Sequence, residues 1–218
     1  TQTSVQLLQY FGPSQLYKNT VTDEDGNKTI EFKNGKGQVI LVRKVLNASE
    51  NADTYYVYNE YDQLAFVIPP LITTWTTLDE TALNNLSYQY RYDGKGRLVE
   101  KKLPGKGWEY MVYDKADKLI LTQDANQRTS FSWMIYKYDA WGRPIYTGIL
   151  TANNTRAGMQ SQVSDTSVIE SRNNTALTAN DMTYYYSNMY WGLNTLLSVT
   201  YYDSYPRLYD FNPSYPST

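Results

Sequence analysis

The fold follows from one short stretch of this chain, Tyr92-Asp93-Gly94-Lys95-Gly96-Arg97-Leu98. An Asp followed three residues later by a Gly is typical of a hairpin turn, because the Asp side chain caps the turn backbone and the Gly adopts a positive φ. On both sides of such turns apolar and polar residues alternate, as in half-buried strands. The stretch therefore predicts a β-hairpin.

Copies of this seven-residue frame recur along the chain. Close copies begin at Tyr113, Tyr138 and Tyr202, and degenerate copies span residues 33–39 and 58–64. Tyr is followed by Asp six times, whereas 23 Tyr and 14 Asp in 218 residues would give about 1.5 such pairs by chance. The positions predicted to build the turns are Tyr92, Asp93, Gly96, Arg97, Tyr113, Asp114, Tyr138, Asp139, Gly142, Arg143, Tyr202 and Asp203. Hairpins of this kind stack side by side to bury their apolar faces.

Two segments interrupt the repeats. After Pro69-Pro70, the capping-box pattern of Thr77 to Glu80 predicts a short helix that ends near Asn85. Residues 151–182 are rich in Asn, Ser, Thr and Gln, and Arg156 to Val163 are predicted to form one or two helical turns. We expect one β-rich segment over residues 1–218, with repeats at about 21–70, 86–150 and 195–210 and insertions at about 71–85 and 151–182.

The composition favours an all-β fold. The chain has 23 Tyr and 5 Trp beside only 5 Phe. Tyr is enriched in strands, where its ring packs on one side and its hydroxyl stays hydrated. The predicted fold class is therefore all-β, made of repeated hairpins in one continuous sheet with short helical insertions.

The absence of both Cys and His excludes many kinds of chemistry. Disulfides, Ser-His-Asp triads and most zinc sites all need one of these residues. The acidic residues lie mostly in turns, where they cap the backbone, and no carboxylate pair stands out. Residues 23–27 lack the spacing of a calcium-binding loop and are predicted to form another hairpin turn. We predict no enzyme activity, no cofactor and no metal.

Charge and hydropathy argue against two partners. The net charge is −2, and the basic cluster of residues 91–106 is interleaved with Asp93, Glu100 and Glu109, which is typical of a solvated strand face rather than a nucleic-acid site. No apolar run approaches the roughly 20 residues that span a bilayer, so membrane insertion is not expected. The chain begins at Thr1 without a signal peptide and reads as an excised segment.

The frames at residues 92–98, 113–119 and 138–144 resemble the YD repeats of bacterial RHS proteins and of the related teneurins. The resemblance covers about residues 20–210, and Leu103 to Tyr110 and Val199 to Asp203 are also similar to segments of long bacterial surface proteins. It implies a sheet that spirals into a hollow, aromatic-lined shell, which in several members encloses a C-terminal toxic domain, as in polymorphic toxins. The family's D-P-x-G cleavage signature does not occur here, so the resemblance assigns neither self-cleavage nor a toxin.

The resemblance implies a structural function. The chain is expected to be an encapsulating shell segment of a large bacterial protein that is secreted or displayed at the cell surface. Its expected partners are the rest of the same polypeptide shell, an enclosed toxin or effector and components of a secretion system such as type IX. The alternative is an adhesin or glycan-binding segment whose exposed rings stack on sugars. The candidate rings are Trp75, Trp133, Trp141 and Trp191.

Overall fold

A computed structural model describes residues 11–73 and 80–203 of this chain. The described part is predominantly β and divides into two compact units, residues 1–109 and 110–218. The predicted all-β class, with repeated hairpins and short helices, is confirmed. Within the described ranges, no helix has the length and apolar character needed to cross a membrane.

The first unit contains antiparallel strands that pair in chain order. They are β1 (Tyr17–Thr22), β2 (Lys28–Lys33), β3 (Val39–Val45), β4 (Asn51–Tyr58), β5 (Leu64–Ile68), β6 (Tyr88–Tyr92) and β7 (Leu98–Lys102). Except at the connection from β5 to β6, each strand pairs with its sequence neighbour because a short turn returns the chain beside itself.

Two short helices, α1 (Pro70–Thr73) and α2 (Glu80–Leu86), connect β5 to β6. Phe66, Ile72 and Leu83 pack together between these helices and the sheet. Helix α2 ends near the predicted Asn85, whereas Thr77 to Asp79 of the predicted capping box lie outside the described residues.

The second unit contains β8 (Glu109–Tyr113), β9 (Leu119–Gln123), β10 (Ser132–Tyr138), β11 (Pro144–Thr151) and β14 (Thr195–Val199), which are also antiparallel. Helix α3 (Ala125–Thr129) connects β9 to β10. It was not predicted, although its capping box, in which Asp124 and Gln127 bond each other's backbone N–H, is readable as D-x-x-Q.

A long excursion, residues 152–194, connects β11 to β14. It begins with α4 (Arg156–Val163), which matches the predicted helical segment. It continues past residue 182 through an unpredicted hairpin of β12 (Arg172–Ala179) and β13 (Met182–Tyr186). Asn180 and Asp181 in its turn have positive φ values of 42° and 62°, which Asn and Asp tolerate better than most residues.

The main core of the second unit lies between its sheet and the excursion. Trp133, Ile135 and Lys137 alternate along β10 on the buried face. Met159, Val163 and other apolar residues of the excursion complete this cluster from the opposite side. The repeat strands therefore supply one half of the core and the excursion supplies the other half.

Candidate functional site: the repeated turn

The turn at Asp93 shows how the frame works. The backbone N–H of Asp93 donates to the carbonyl of Arg97 at 3.0 Å, and the N–H of Gly96 donates to the carbonyl of Asp93 at 2.9 Å. Asp93 Oδ1 accepts from the N–H groups of Lys95 and Arg97 at 2.9 and 3.0 Å. Gly96 has a φ of 79°, which a side chain would strain. In this turn Asp93 therefore caps the backbone, and Gly96 takes the positive φ.

The same backbone pattern recurs at five other turns. They begin at Asp23, Asn34, Asn59, Asp114 and Asp139. Asp23 Oδ1 accepts from the N–H groups of Asp25 and Asn27, so residues 23–27 form the hairpin turn that was predicted. At Asn59, the Tyr61-Asp62 dipeptide occupies the tip of the turn, and Asp62 takes the positive φ of 62° usually left to Gly.

In most copies of the turn, the side chain of the first residue pairs with the side chain four residues later. Asp93 Oδ2 accepts from Arg97 Nε at 2.8 Å, and Asp139 Oδ2 accepts from Arg143 Nε at 2.6 Å. Burial raises the pKa of both carboxyl groups, but bonds from the Arg side chain and from turn backbone N–H groups outweigh it and hold each pKa below its usual 3.8. Where Asn replaces Asp, Gln replaces Arg, as in the pairs Asn34–Gln38 and Asn59–Gln63 at 2.7 and 2.9 Å.

The turn at Asp114 uses its second carboxylate oxygen differently. Lys118 stands in the Arg position, and Asp114 Oδ2 accepts instead from the backbone N–H of Val168 at 2.9 Å. The side chain of Gln160 bonds both the N–H and the carbonyl of Tyr113, at 3.1 and 2.7 Å. This copy of the turn therefore anchors the excursion.

The Tyr of the frame joins one hairpin to the previous one. Its hydroxyl donates to the backbone carbonyl of the last residue in the preceding frame, and we call this contact the inter-hairpin tyrosine bond. Such bonds join Tyr58 to Val39, Tyr92 to Leu64, Tyr138 to Leu119 and Tyr202 to Pro144, at 2.9–3.1 Å. They span 19, 28, 19 and 58 residues, so the contact is independent of the intervening length.

In each unit the turns of the seven-residue frame lie at one end of the strands, since alternate connections of an antiparallel sheet lie at the same end. Neighbouring turns also contact each other there. Lys36 Nζ lies 2.6 Å from Asp62 Oδ1 in the first unit. In the second unit Arg143 Nη1 lies 3.0 Å from Asp203 Oδ2, although the rest of the predicted turn at 204–208 is outside the described residues. The helical connection from β5 to β6 and the excursion both leave from the opposite end of the strands. The Asp23 turn, between β1 and β2, also lies at that opposite end.

The tryptophans have different environments. Trp133 is fully buried, so its predicted exposure is wrong, because its position on β10 faces the core. Trp141 is 79% exposed at its turn tip, under the Arg143 guanidinium. Trp191 is half-buried, and Trp75 lies outside the described residues. Tyr61, at the equivalent tip position, is 74% exposed.

A groove of about 850 Å³ opens between two turns of the first unit. Tyr58, Phe66, Tyr90 and Arg91 are among its lining residues, and so is the exposed Tyr61. Arg91 is held by Glu100 at 2.7 Å and lies over the ring of Trp108. Aromatic and charged groups therefore meet in this groove.

Sequence reasoning missed one charged contact in the second unit, the buried pair of Lys137 and Glu170, whose atoms Nζ and Oε1 are 2.6 Å apart. The signal was present, because Lys137 shares the inward register of Trp133 and Ile135 on β10. Its partner lies 33 residues further on, in the excursion.

Comparisons with known proteins agree with the repeat. No protein-family model matches the chain. Over 68 residues, or 29% of this chain, it is 41% and 40% identical to the probable deoxyribonucleases RhsA and RhsB of Dickeya dadantii (strain 3937). The match spans only 4% of the length of each relative.

Among solved structures, TcdB2-TccC3 aligns with 65% of this chain and 8% of its own chain, at 16% identity and a TM-score of 0.47. The form without the hypervariable C-terminal region gives the same values, over 7% of its chain. This similarity is too weak to support an argument. The repeated turn, the hairpins that it closes and the identity over 68 residues to the two Rhs proteins together make this chain similar to a segment of the RHS-repeat (YD-repeat) proteins.

Proposed function

We propose that this chain is a wall segment of a large RHS-repeat shell and that its function is mechanical. The inter-hairpin tyrosine bond is the observation that supports the proposal most. At Tyr58, Tyr92, Tyr138 and Tyr202 it fixes a hairpin to the preceding one through hydroxyl and backbone atoms, in a manner that any number of hairpins can repeat. Strand pairing along the chain then extends the sheet, and hairpin after hairpin adds wall area.

The main partner is the remainder of the same polypeptide, and the shell encloses a toxin or effector. The whole protein is secreted or displayed at the bacterial surface, with type IX secretion components as transport partners. The chain performs no catalysis and needs no cofactor. The name of the Dickeya relatives describes those proteins as probable deoxyribonucleases, and the short match does not bring that activity to this chain.

The shape of the full-length parent protein tests this function. We expect negative-stain electron microscopy and light scattering to show a hollow particle of one polypeptide mass. A solid rod or thin fibre would contradict the shell. A parent that carries Tyr92→Phe and Tyr138→Phe should form the same particle with a lower unfolding temperature, whereas Tyr61→Phe, whose ring is exposed at a turn tip, should change neither.

A glycan-binding adhesin is the second candidate, and the two turn-tip rings favour it. Tyr61 and Trp141 hold the same place in their turns, and the groove beside Tyr61 combines aromatic rings with Arg91. Exposed rings of this kind stack on sugars. Titration with oligosaccharides should then quench Trp fluorescence in the native chain and not in Trp141→Ala. Equal responses from the two proteins would contradict this candidate.

A further inference from the structure

The buried pair between Lys137 and Glu170 is satisfied on every side. Besides their 2.6 Å contact, Lys137 Nζ donates to the carbonyl of Met189. Glu170 accepts from the N–H of Met189 at 2.9 and 3.0 Å and from Ser187 Oγ at 2.6 Å. The carbonyl of Ser187 in turn accepts from the hydroxyl of Tyr146, on β11, at 2.9 Å. One strand Lys thus holds two separate parts of the excursion, near residues 170 and 189.

Both charged side chains are completely shielded from water. Burying a charge is unfavourable unless it is paired, and removing one partner of a buried pair leaves the other uncompensated. The charge of Lys137 therefore disfavours every placement of the excursion except the one that brings Glu170 to it. Desolvation lowers the pKa of Lys137, and the attraction of Glu170 opposes this shift.

The excursion has little core of its own. Helix α4 has eight residues, and its buried side chains, Met159 and Val163, contact the sheet cluster rather than the hairpin of β12 and β13. Most residues of β12 are exposed. An element with so few internal contacts does not fold in isolation, so its structure depends on its docking to the sheet.

We propose that residues 152–194 form a cover that opens and closes on the sheet as one unit, with the Lys137–Glu170 pair fixing its closed position. Opening separates the cover from the apolar face formed by Val112, Ile120 and Trp133 while the β8–β11 ladder stays paired. The inference concerns this excursion alone and does not depend on the shell function.

Amide hydrogen exchange in the full 218-residue chain that carries Lys137→Met tests whether the cover opens independently of the sheet. We expect the amides of Val168 and Glu170, which donate to Asp114 and Tyr138 outside the excursion, to exchange at least about 100-fold faster, because one buried charge has lost its partner. The amides that pair β10 with β11 should change less than about 3-fold. Equal acceleration in both sets, or no acceleration, would overturn the proposal.

Two further variants make the result specific. Lys36→Met removes a pair with the same 2.6 Å separation whose side chains are 64% and 51% exposed, and it should change exchange in the cover less than about 3-fold. Glu170→Gln is the milder second variant, since the amide oxygen still accepts from the Met189 N–H. It should show the same selective opening. If both Lys137→Met and Glu170→Gln lose protection throughout the second unit, no independently opening cover exists.

Discussion

At the scale of single residues, the repeated turn contains matched pairs of side chains, either Asp with Arg or Asn with Gln. The Oδ1 atom of the Asp or Asn that begins the turn accepts from turn N–H groups. The remaining polar atom of that side chain, Oδ2 in Asp or Nδ2 in Asn, therefore determines which side chain can pair with it. The Oδ2 of Asp93 is an acceptor and pairs with the donor Arg97, whereas the Nδ2 of Asn34 is a donor and pairs with the acceptor oxygen of Gln38. Divergent copies therefore keep the turn when both members change together.

Exchanging one pair for the other tests this rule. We expect Asp93→Asn and Arg97→Gln each to lower the free energy of unfolding, and the double variant to recover about 0.5 to 1 kcal/mol of the summed loss, as for a partly shielded pair. Urea unfolding of the four proteins in the cycle measures this coupling. A coupling of zero would show that the pairing does not determine which residues fit the turn.

Acid should destabilise the turns through their carboxylates. The folded pKa values of Asp93 and Asp139 lie below the ordinary 3.8, so the unfolded chain takes up protons first as pH falls. The stabilising contribution is complete above pH 3.8 and disappears as pH falls through the folded pKa. The urea midpoint of unfolding should fall from pH 6 to pH 2.5, and it should fall less steeply in the Asp139→Asn variant. An unchanged slope in that variant would refute the assignment.

Part of this site could be predicted from sequence. The capping Asp and the positive φ of Gly96 and Gly142 are local, so four consecutive residues are enough to reveal them. The acceptor of each Tyr hydroxyl lies 19 to 58 residues away, and the partner of Lys137 lies 33 residues away. Such contacts depend on which strands become neighbours, and one sequence without its fold does not specify that.

At the scale of strands and helices, burial determined which elements could be predicted. The hairpins alternate because one face is buried, and α4 begins and ends at the predicted residues. Strand β12 was missed because most of its side chains are exposed, so its sequence carries no alternating pattern. Helix α3 has five residues, which is too short for a helical period to show.

The inter-hairpin tyrosine bond should have a measurable energy. Tyr138→Phe removes the hydroxyl that donates to the carbonyl of Leu119 at 2.9 Å and keeps the ring. We expect the free energy of unfolding to fall by about 1 kcal/mol, the usual net value of such a bond. Urea denaturation measures it, with Tyr61→Phe as the matched control that removes an exposed hydroxyl. Equal effects of the two changes would show that the bond adds no stability.

At the scale of the whole molecule, one strand edge stands out. In the part of the chain that the structure describes, β1 pairs with β2 alone, and all six of its residues are exposed. Tyr17 and Val21 on this strand are 70% and 58% exposed. A strand edge that has no partner among the described residues is a template for pairing with another strand.

We therefore expect the chain to self-associate with increasing concentration and Val21→Lys to reduce this association, because a charge on an edge strand opposes pairing. Sedimentation velocity over a range of concentrations gives the measurement. Leu46→Lys is the matched control, since Leu46 is also 58% exposed but lies in the turn after β3. The edge is not the contact surface if the two variants reduce association equally.

The tyrosine bonds also have an evolutionary consequence. Each bond joins two fixed points whether 19 or 58 residues separate them, and the free energy needed to close a longer flexible loop rises by only about 0.6 kcal/mol per doubling of its length. The connections at the end of the strands opposite the frame turns can therefore gain sequence by recombination without altering how the hairpins are joined, as long as the side chains that pack on the sheet are kept. A laboratory could insert a foreign epitope or reporter domain into such a connection under the same condition.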